Sequence, residues 1–417
     1  MTSPLTSPRS SAADITARAA ALDAADPLRG LRERFLTPDE VVAYLDGNSL
    51  GRPLRETPRR VSDFVRDAWG GRLIRGWDEQ WMDAPTRVGD RLAEVALGAA
   101  AGQTFIGDST SVLLYKLIRA AIAARPGRRE IVVDRDNFPT DRFLVEGIAA
   151  ECGLDIRWVP SAADAGVRPQ DLAPLLGPDT AVVVLSHVAY RSGFLADAAA
   201  ITAQVHDAGG LMLWDLCHSV GVVSTELDRW SVDLAVGCTY KYLNGGPGSP
   251  AFGYVRADLQ EELRQPLQGW MGAADPFDMA ESYRPAPGIR RFLTGTPSIL
   301  AMQPMLGMIE LIAQAGIPAV RAKSVTLTEF ALDLVDEQLV PSGVRLASPR
   351  DADRRGSHVT VDHPAFRAVT QRLWDRGVIP DFRPPDGLRI GLSPLSTSFA
   401  EVAAGIGAVA TALRELG

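Results

Sequence analysis

Hydrophobic and polar positions along the chain follow two patterns. Between residues 103 and 255, short, mainly apolar runs, continuous at 181–185, alternate with stretches of helical spacing. The runs are residues 103–106, 131–133, 181–185, 211–214, 232–237 and 252–255. Continuous runs suit strands buried on both faces. Helical spacing at residues 112–124, after residue 141 and at residues 196–208 falls between them. Together they predict an α/β fold, a mostly parallel sheet with helices on both faces. Ahead of it, residues 14–43 alternate alanines and charges at helical spacing. Residues 55–70 predict an amphipathic helix, residues 73–82 a tryptophan-bearing loop, and residues 85–100 a long helix. Beyond it, residues 265–298 are irregular and rich in Gly, Pro and Trp. Helices at 299–315 and 318–337, short strands near 344–346 and 358–361, a helix at 364–376 and a last helix at 399–415 predict a smaller α+β domain.

Polar residues gather at the carboxyl ends of these runs: Ser109, Thr110 and Ser111; Ser186; Asp215 and His218; and Lys241. In open α/β sheets ligands bind at those ends, so the repetition marks a site. Ser109, Thr110 and Ser111 open a helix, where hydroxyls and free N–H groups hold an anion; a plain helix cap is the alternative. Residues 44–53 carry Gly47 and Gly51 around Asn48 and Ser49, either a surface turn or a loop that reaches a ligand. Lys241 follows the run at 232–237, before Gly245, Gly246 and Gly248. Desolvation lowers a lysine's pKa and makes its amine nucleophilic; the bland reading is a solvated loop lysine. The chain has only three lysines, Lys116, Lys241 and Lys323, so a carbonyl-bearing cofactor would have few anchors.

Composition narrows the classes. A 417-residue chain with 46% hydrophobic and 23% charged residues is that of an ordinary globular protein. A net charge of −8 argues against a nucleic-acid partner. No apolar run reaches bilayer-spanning length. Residues 1–13 lack a secretory pattern and predict a flexible tail. Cys152, Cys217 and Cys238 have neither metal-ligand nor disulfide-framework spacing. No metal is expected, and a reducing, cytoplasmic compartment is.

Pyridoxal 5'-phosphate needs an amine for its aldehyde, an anion site, a carboxylate at its pyridine nitrogen and a flat group against its ring. Lys241 suits the first and Ser109, Thr110 and Ser111 the second. Asp215, 26 positions before the lysine, suits the third; alone it is as good a helix cap. Phe138, held extended before a proline, suits the fourth, with a core aromatic as the alternative.

With these residues assembled, the chain resembles kynureninase, a fold-type-I pyridoxal-phosphate enzyme of the aminotransferase class V group. The resemblance runs from about residue 40 to 400. It rests on residues 45–51, 77–90, 138–141, 215–218, 240–245, 269–270 and 295–297. The lysine segment and Asn48-Ser49-Leu50-Gly51 are specific together; Asp215 with His218 is shared across class V. The resemblance implies an N-terminal arm at 1–50, a large cofactor-binding domain at 51–298 and a small domain at 299–417. It implies that Lys241 holds the cofactor, with Thr110 and Ser111 on its phosphate and Phe138 on its ring. Thr140 and Asp141 would lie nearby, Asp215 on the pyridine nitrogen, and Ser186 and His218 along its side. Tyr240 would reach the phosphate and serve as an acid and base. Trp270 and Thr296 would be lent to a neighbouring subunit's phosphate, implying a homodimer with shared sites. Arg389 would grip the substrate carboxylate, and Ser49 and the Trp77 loop would lie near the substrate ring. The implied reaction is hydrolysis of L-kynurenine, or a ring-substituted kynurenine, to anthranilate and L-alanine in tryptophan breakdown. Another class V lyase, epimerase or desulfurase is the alternative, though no cysteine follows Lys241. One departure bears on ring specificity: Pro394-Leu395-Ser396 stands where the family continues Pro-Leu-Tyr. Arg75 and Gly76 have no assigned contact.

Overall fold

The computed structural model describes residues 11–416. Thirteen strands occur among them: β1 (Ala43–Tyr44), β2 (Thr104–Gly107), β3 (Glu130–Asp134), β4 (Asp155–Val159), β5 (Thr180–Ser186), β6 (Leu211–Asp215), β7 (Leu234–Gly237), β8 (Ala251–Val255), β9 (Arg345–Leu346), β10 (His358–Asp362), β11 (Val378–Ile379), β12 (Asp381–Arg383) and β13 (Gly387–Gly391). Seven form the central sheet, ordered β2-β8-β7-β6-β5-β3-β4. Only β8 runs against its neighbours, so the sheet is mostly parallel, as the apolar runs predict.

Strand β5 shows why those runs lack alternation. Val182 and Val184 pack with Leu113, Leu117, Val145 and Ile148 from the helices Thr110–Ala123 and Pro139–Cys152. Val183 and Leu185 face the opposite core, with Leu92, Ile201 and Met305 from helices Ala84–Leu92, Ala198–Asp207 and Ile299–Ala315. Both faces are covered, so both parities are apolar. The edge strand β4 escapes the apolar pattern because Asp155 and Arg157 alternate outward.

Two expectations need correction. Residues 73–82 are helical, not a loop: a short 3₁₀ turn at Leu73–Arg75 is followed by a π-helical turn at Trp77–Trp81. Trp77 and Trp81, four apart, lie on one helical face and meet edge to face at 5.4 Å. Gly76 makes room, since a Cβ there would lie 2.4 Å from the Trp81 ring. The expected tail also fails at residues 11–13. Residues 1–10 lie outside the described residues, but Ser11 caps the helix Ala12–Ala25 by accepting from the Asp14 amide.

A second core joins distant parts of the chain. Ile15, Ala19, Ala43 and Leu45 pack with Phe330, Val359, Ile390 and Ile406. Strand β1 pairs with β11, and a bridge links Asp46 to Gly391. The loop at residues 46–51 is thereby carried to the end of the four-stranded sheet β12-β13-β10-β9. Among the described residues no single helix is long and apolar enough to cross a membrane.

Candidate active site

The parallel strands deliver their C-terminal residues to one place. In-register pairing of β5 with β6 sets Ser186 beside Asp215. Strand β7 ends one residue before Cys238, and the turn after it holds Lys241. Lys241 is buried, and its Nζ lies 3.0 Å from His218 Nε2. It stands 5.8 Å from the Phe138 ring centre and 5.9 Å from that of Tyr240. Burial, and next the charge of Lys241, hold His218 well below its usual range. The ring meets the lysine amine through Nε2 in one hydrogen bond.

Two carboxyls share the floor. Asp215 accepts from the Cys217 amide at 2.7 Å. Asp141 is buried, and its Oδ2 has no partner. Burial, and then the Asp215 charge, push Asp141 far above the carboxylate range. Ser186 donates to Asn137 Oδ1 at 2.7 Å, which also accepts from the Phe138 amide at 2.8 Å. The Phe138 ring is held edge-on by Tyr190 at 5.4 Å. Thr140 sits in the first turn of the helix that Phe138 precedes.

The anion end lies at the start of helix Thr110–Ala123. Ser109 caps it, accepting from Val112 N at 3.4 Å, and Thr110 Oγ1 lies 4.0 Å from Cys217 Sγ. Ser111 follows within the first turn. Burial raises the Tyr240 hydroxyl above its ordinary pKa and keeps it protonated. A residue missed by the sequence reading ties this end together. Lys116, fully buried, donates to Asp108 Oδ2 at 2.9 Å and Thr294 Oγ1 at 2.7 Å.

Ser49 lies at Arg389: its Oγ accepts from Nη2 at 2.7 Å. The loop that holds Ser49 is docked on the lysine turn, with Gly51 N donating to Tyr240 O at 2.9 Å and Asn244 Nδ2 to Arg52 O at 2.6 Å. Trp270 and Thr296 make no bond to the Lys241 network; both are exposed, and Trp270 meets Trp77 at 6.1 Å. Arg75 is spent on its own turn, donating to Arg72 O and Gly71 O. Ser396 is buried, its carbonyl accepting from Arg52.

The buried orphans test the fit to pyridoxal phosphate. Asn137 Nδ2, Asp141 Oδ2 and His218 Nδ1 are buried without partners, on residues that surround the Lys241 amine and the Phe138 ring. Buried polar atoms need partners, and a flat, polar-edged group with an aldehyde and an anionic tail meets them. Among the described residues no cluster of three His, Cys, Asp or Glu is arranged for a metal ion.

Comparisons with known proteins agree in direction. A family model described as the kynureninase C-terminal domain matches residues 320–409. A kynureninase of Pseudomonas fluorescens is 42% identical over 389 residues, covering 92% of this chain and 91% of its own. One of Burkholderia pseudomallei (strain 1106a) is 43% identical over 391 residues, covering 92% of each. Among solved structures, an apo cysteine desulfurase from Thermococcus onnurineus NA1 superposes with a TM-score of 0.79 at 17% identity, over 93% of this chain and 98% of that one. A C-DES mutant with glycine covalently linked to its PLP cofactor superposes at 0.76 and 19% identity, over 88% and 96%. At such identities these structures show the fold alone, the fold-type-I arrangement.

Proposed function

The chain belongs to the kynureninase family, and from that premise we propose that it uses pyridoxal 5'-phosphate to hydrolyse the Cβ–Cγ bond of L-kynurenine, or of a ring-substituted kynurenine. Water is consumed, and L-alanine and the matching anthranilate are released. The observation that carries this reading is the buried Lys241 amine at the strand ends, with His218 at 3.0 Å and Asp215 on the same floor.

Lys241 would hold the aldehyde, Thr110 and Ser111 the phosphate, Asp215 the ring nitrogen and Phe138 the ring face, with Thr140, Asp141, Ser186 and His218 lining the edge. Bound there, pyridoxal phosphate supplies an electron sink for the bonds of the substrate's α-carbon. The chain's own groups do the rest. Lys241 Nζ accepts the Cα proton and returns it, with His218 Nε2 holding the amine in place. Asp215 would pair with the ring nitrogen and fix its charge. Tyr240, protonated because it is buried, donates toward the substrate's γ-carbonyl as water adds and takes the proton back as the Cβ–Cγ bond breaks. Arg389 holds the α-carboxylate through its planar fork, with Ser49 beside it.

Trp270, Phe277 and Met279 leave an apolar surface open, at 36%, 54% and 82% exposure. An exposed patch of this kind suits a subunit contact. We place a second copy of the chain there, lending Trp270 and Thr296 to its neighbour's phosphate. The family and the unpaired thiols support tryptophan breakdown in the cytoplasm. A desulfurase reading gains no support from Cys217: hydrogen bonding with Cys238, then burial, raises its thiol well above the usual range.

The test is a pair of product assays on purified, cofactor-loaded protein. L-kynurenine should yield alanine and anthranilate in equal amounts, and L-cysteine should yield neither alanine nor sulfide. Sulfide from cysteine with no alanine from any kynurenine would move the protein to another class V chemistry.

A further inference from the structure

Arg389 is buried at 1% exposure, and its guanidinium is already engaged. Nη1 donates to Tyr190 O at 2.7 Å. Nη2 donates to Ser49 Oγ at 2.7 Å and to Asp381 Oδ2 at 2.6 Å. With its amide turned to satisfy its neighbours, Asn48 accepts from Nε at 3.2 Å and donates to Asp46 Oδ1 at 3.3 Å. Two edges of the fork are thus covered differently. Nε meets only a neutral acceptor, Asn48, while Nη2 is shared between the neutral Ser49 and the Asp381 carboxylate. The end of the fork meets a carboxylate, and that carboxylate is built into the sheet: Asp381 in β12 is the direct cross-strand partner of Arg389 in β13. Directly opposed residues share a face of the sheet. Asp381 Oδ2 also accepts from Arg383 Nε at 2.7 Å. A second carboxylate waits nearby, Asp46 Oδ1, 3.9 Å from Nη2.

We propose that Asp381 is the positioning residue of the substrate's carboxylate site: it holds the Arg389 fork by its far end, so that the Asn48–Ser49 edge is the one exchanged for the α-carboxylate of an amino-acid substrate. Neutral acceptors leave a guanidinium edge more readily than an ionised one. Without Asp381, the nearest anion is Asp46, on the substrate-facing loop, and the fork turns toward it and is blocked. This inference rests on the proposed function, because it takes Arg389 as the carboxylate anchor.

The α-carboxylate does not react, so its contacts contribute equally to ground and transition states. Weakening them moves KM and leaves kcat. Asp381→Asn should raise KM for L-kynurenine about tenfold or more, with kcat within about twofold. Calorimetry with a kynurenine analogue whose γ-carbonyl is reduced to an alcohol should show the same rise in Kd; the decarboxylated form of that analogue should bind both proteins alike. Arg383→Leu, which disturbs the same edge strand but leaves the Asp381–Arg389 pair, should change KM less than about threefold. An unchanged or lowered KM in Asp381→Asn, or an equal rise in Arg383→Leu, overturns the proposal. A wild-type protein that makes no alanine from kynurenine would instead defeat the functional reading itself.

Discussion

At the scale of single residues, the site works by keeping like groups in unlike surroundings. Asp141 and Asp215 are two carboxyls on one floor. Burial pushes Asp141 far above the carboxylate range, while Asp215 accepts the Cys217 amide at 2.7 Å. Asp215→Asn removes that carboxyl and is expected to lower kcat by about a hundredfold or more with the fold intact; steady-state rates beside a circular dichroism spectrum check it. Asp46 offers a pH test. Burial, then Asp381, raises its pKa from 3.8 to about 6, against the opposing pull of Ser49, Arg389 and Arg383. A carboxyl raised in the folded state costs stability only once the fold must ionise it. Below pH 3.8 there is no penalty; it grows as the pH rises toward 6 and is complete above. Asp46→Asn should therefore melt with wild type near pH 4 and at a higher temperature than wild type at pH 7 to 8. A constant difference across that range would contradict the buried, raised carboxyl.

At the scale of elements, two loops must dock for the lysine to be placed. Gly51 is the contact: a Cβ there would lie 2.3 Å from Lys241 O and 2.5 Å from the Asn244 amide carbon. Gly51→Ala should push the Asn48–Gly51 loop off the lysine turn, lowering activity and cofactor retention about tenfold together; equilibrium dialysis of the cofactor measures the second. Much of this layer was legible in the sequence. The apolar runs announced strands β5, β6 and β7 because both faces are covered, and the polar residues at their ends meet in one place. What escaped had weaker signals. Trp77 and Trp81 stand four apart, a helical spacing masked by the glycines at 70, 71 and 76. Lys116 sits in an apolar helix, and only its distant partners Asp108 and Thr294 explain it. Asp381 was hidden in a short edge strand, yet Pro384-Pro385-Asp386-Gly387 is a turn signature. Read as a hairpin, it would have set Asp381 opposite Arg389.

At the scale of the whole molecule, the described N-terminal segments pack into the C-terminal core. The segment from Ala43 to Leu45 joins the C-terminal core, so the loop carrying Asn48 and Ser49 reports on both ends at once. The exposed apolar patch is the proposed subunit contact. Phe277→Asp, at a ring packed on Trp270 at 6.1 Å, should shift the protein toward monomer in sedimentation and loosen the cofactor; an unaltered dimer would show that the contact lies elsewhere.

The most direct measurement of the central claim pairs wild type with Lys241→Ala in one assay. Each protein is given pyridoxal phosphate and L-kynurenine, and alanine and anthranilate are quantified over many turnovers. Equal yields from wild type, and a loss of at least about a thousandfold in the variant, are expected. Full activity in Lys241→Ala would contradict the assignment of this lysine, and with it the site built around the strand ends.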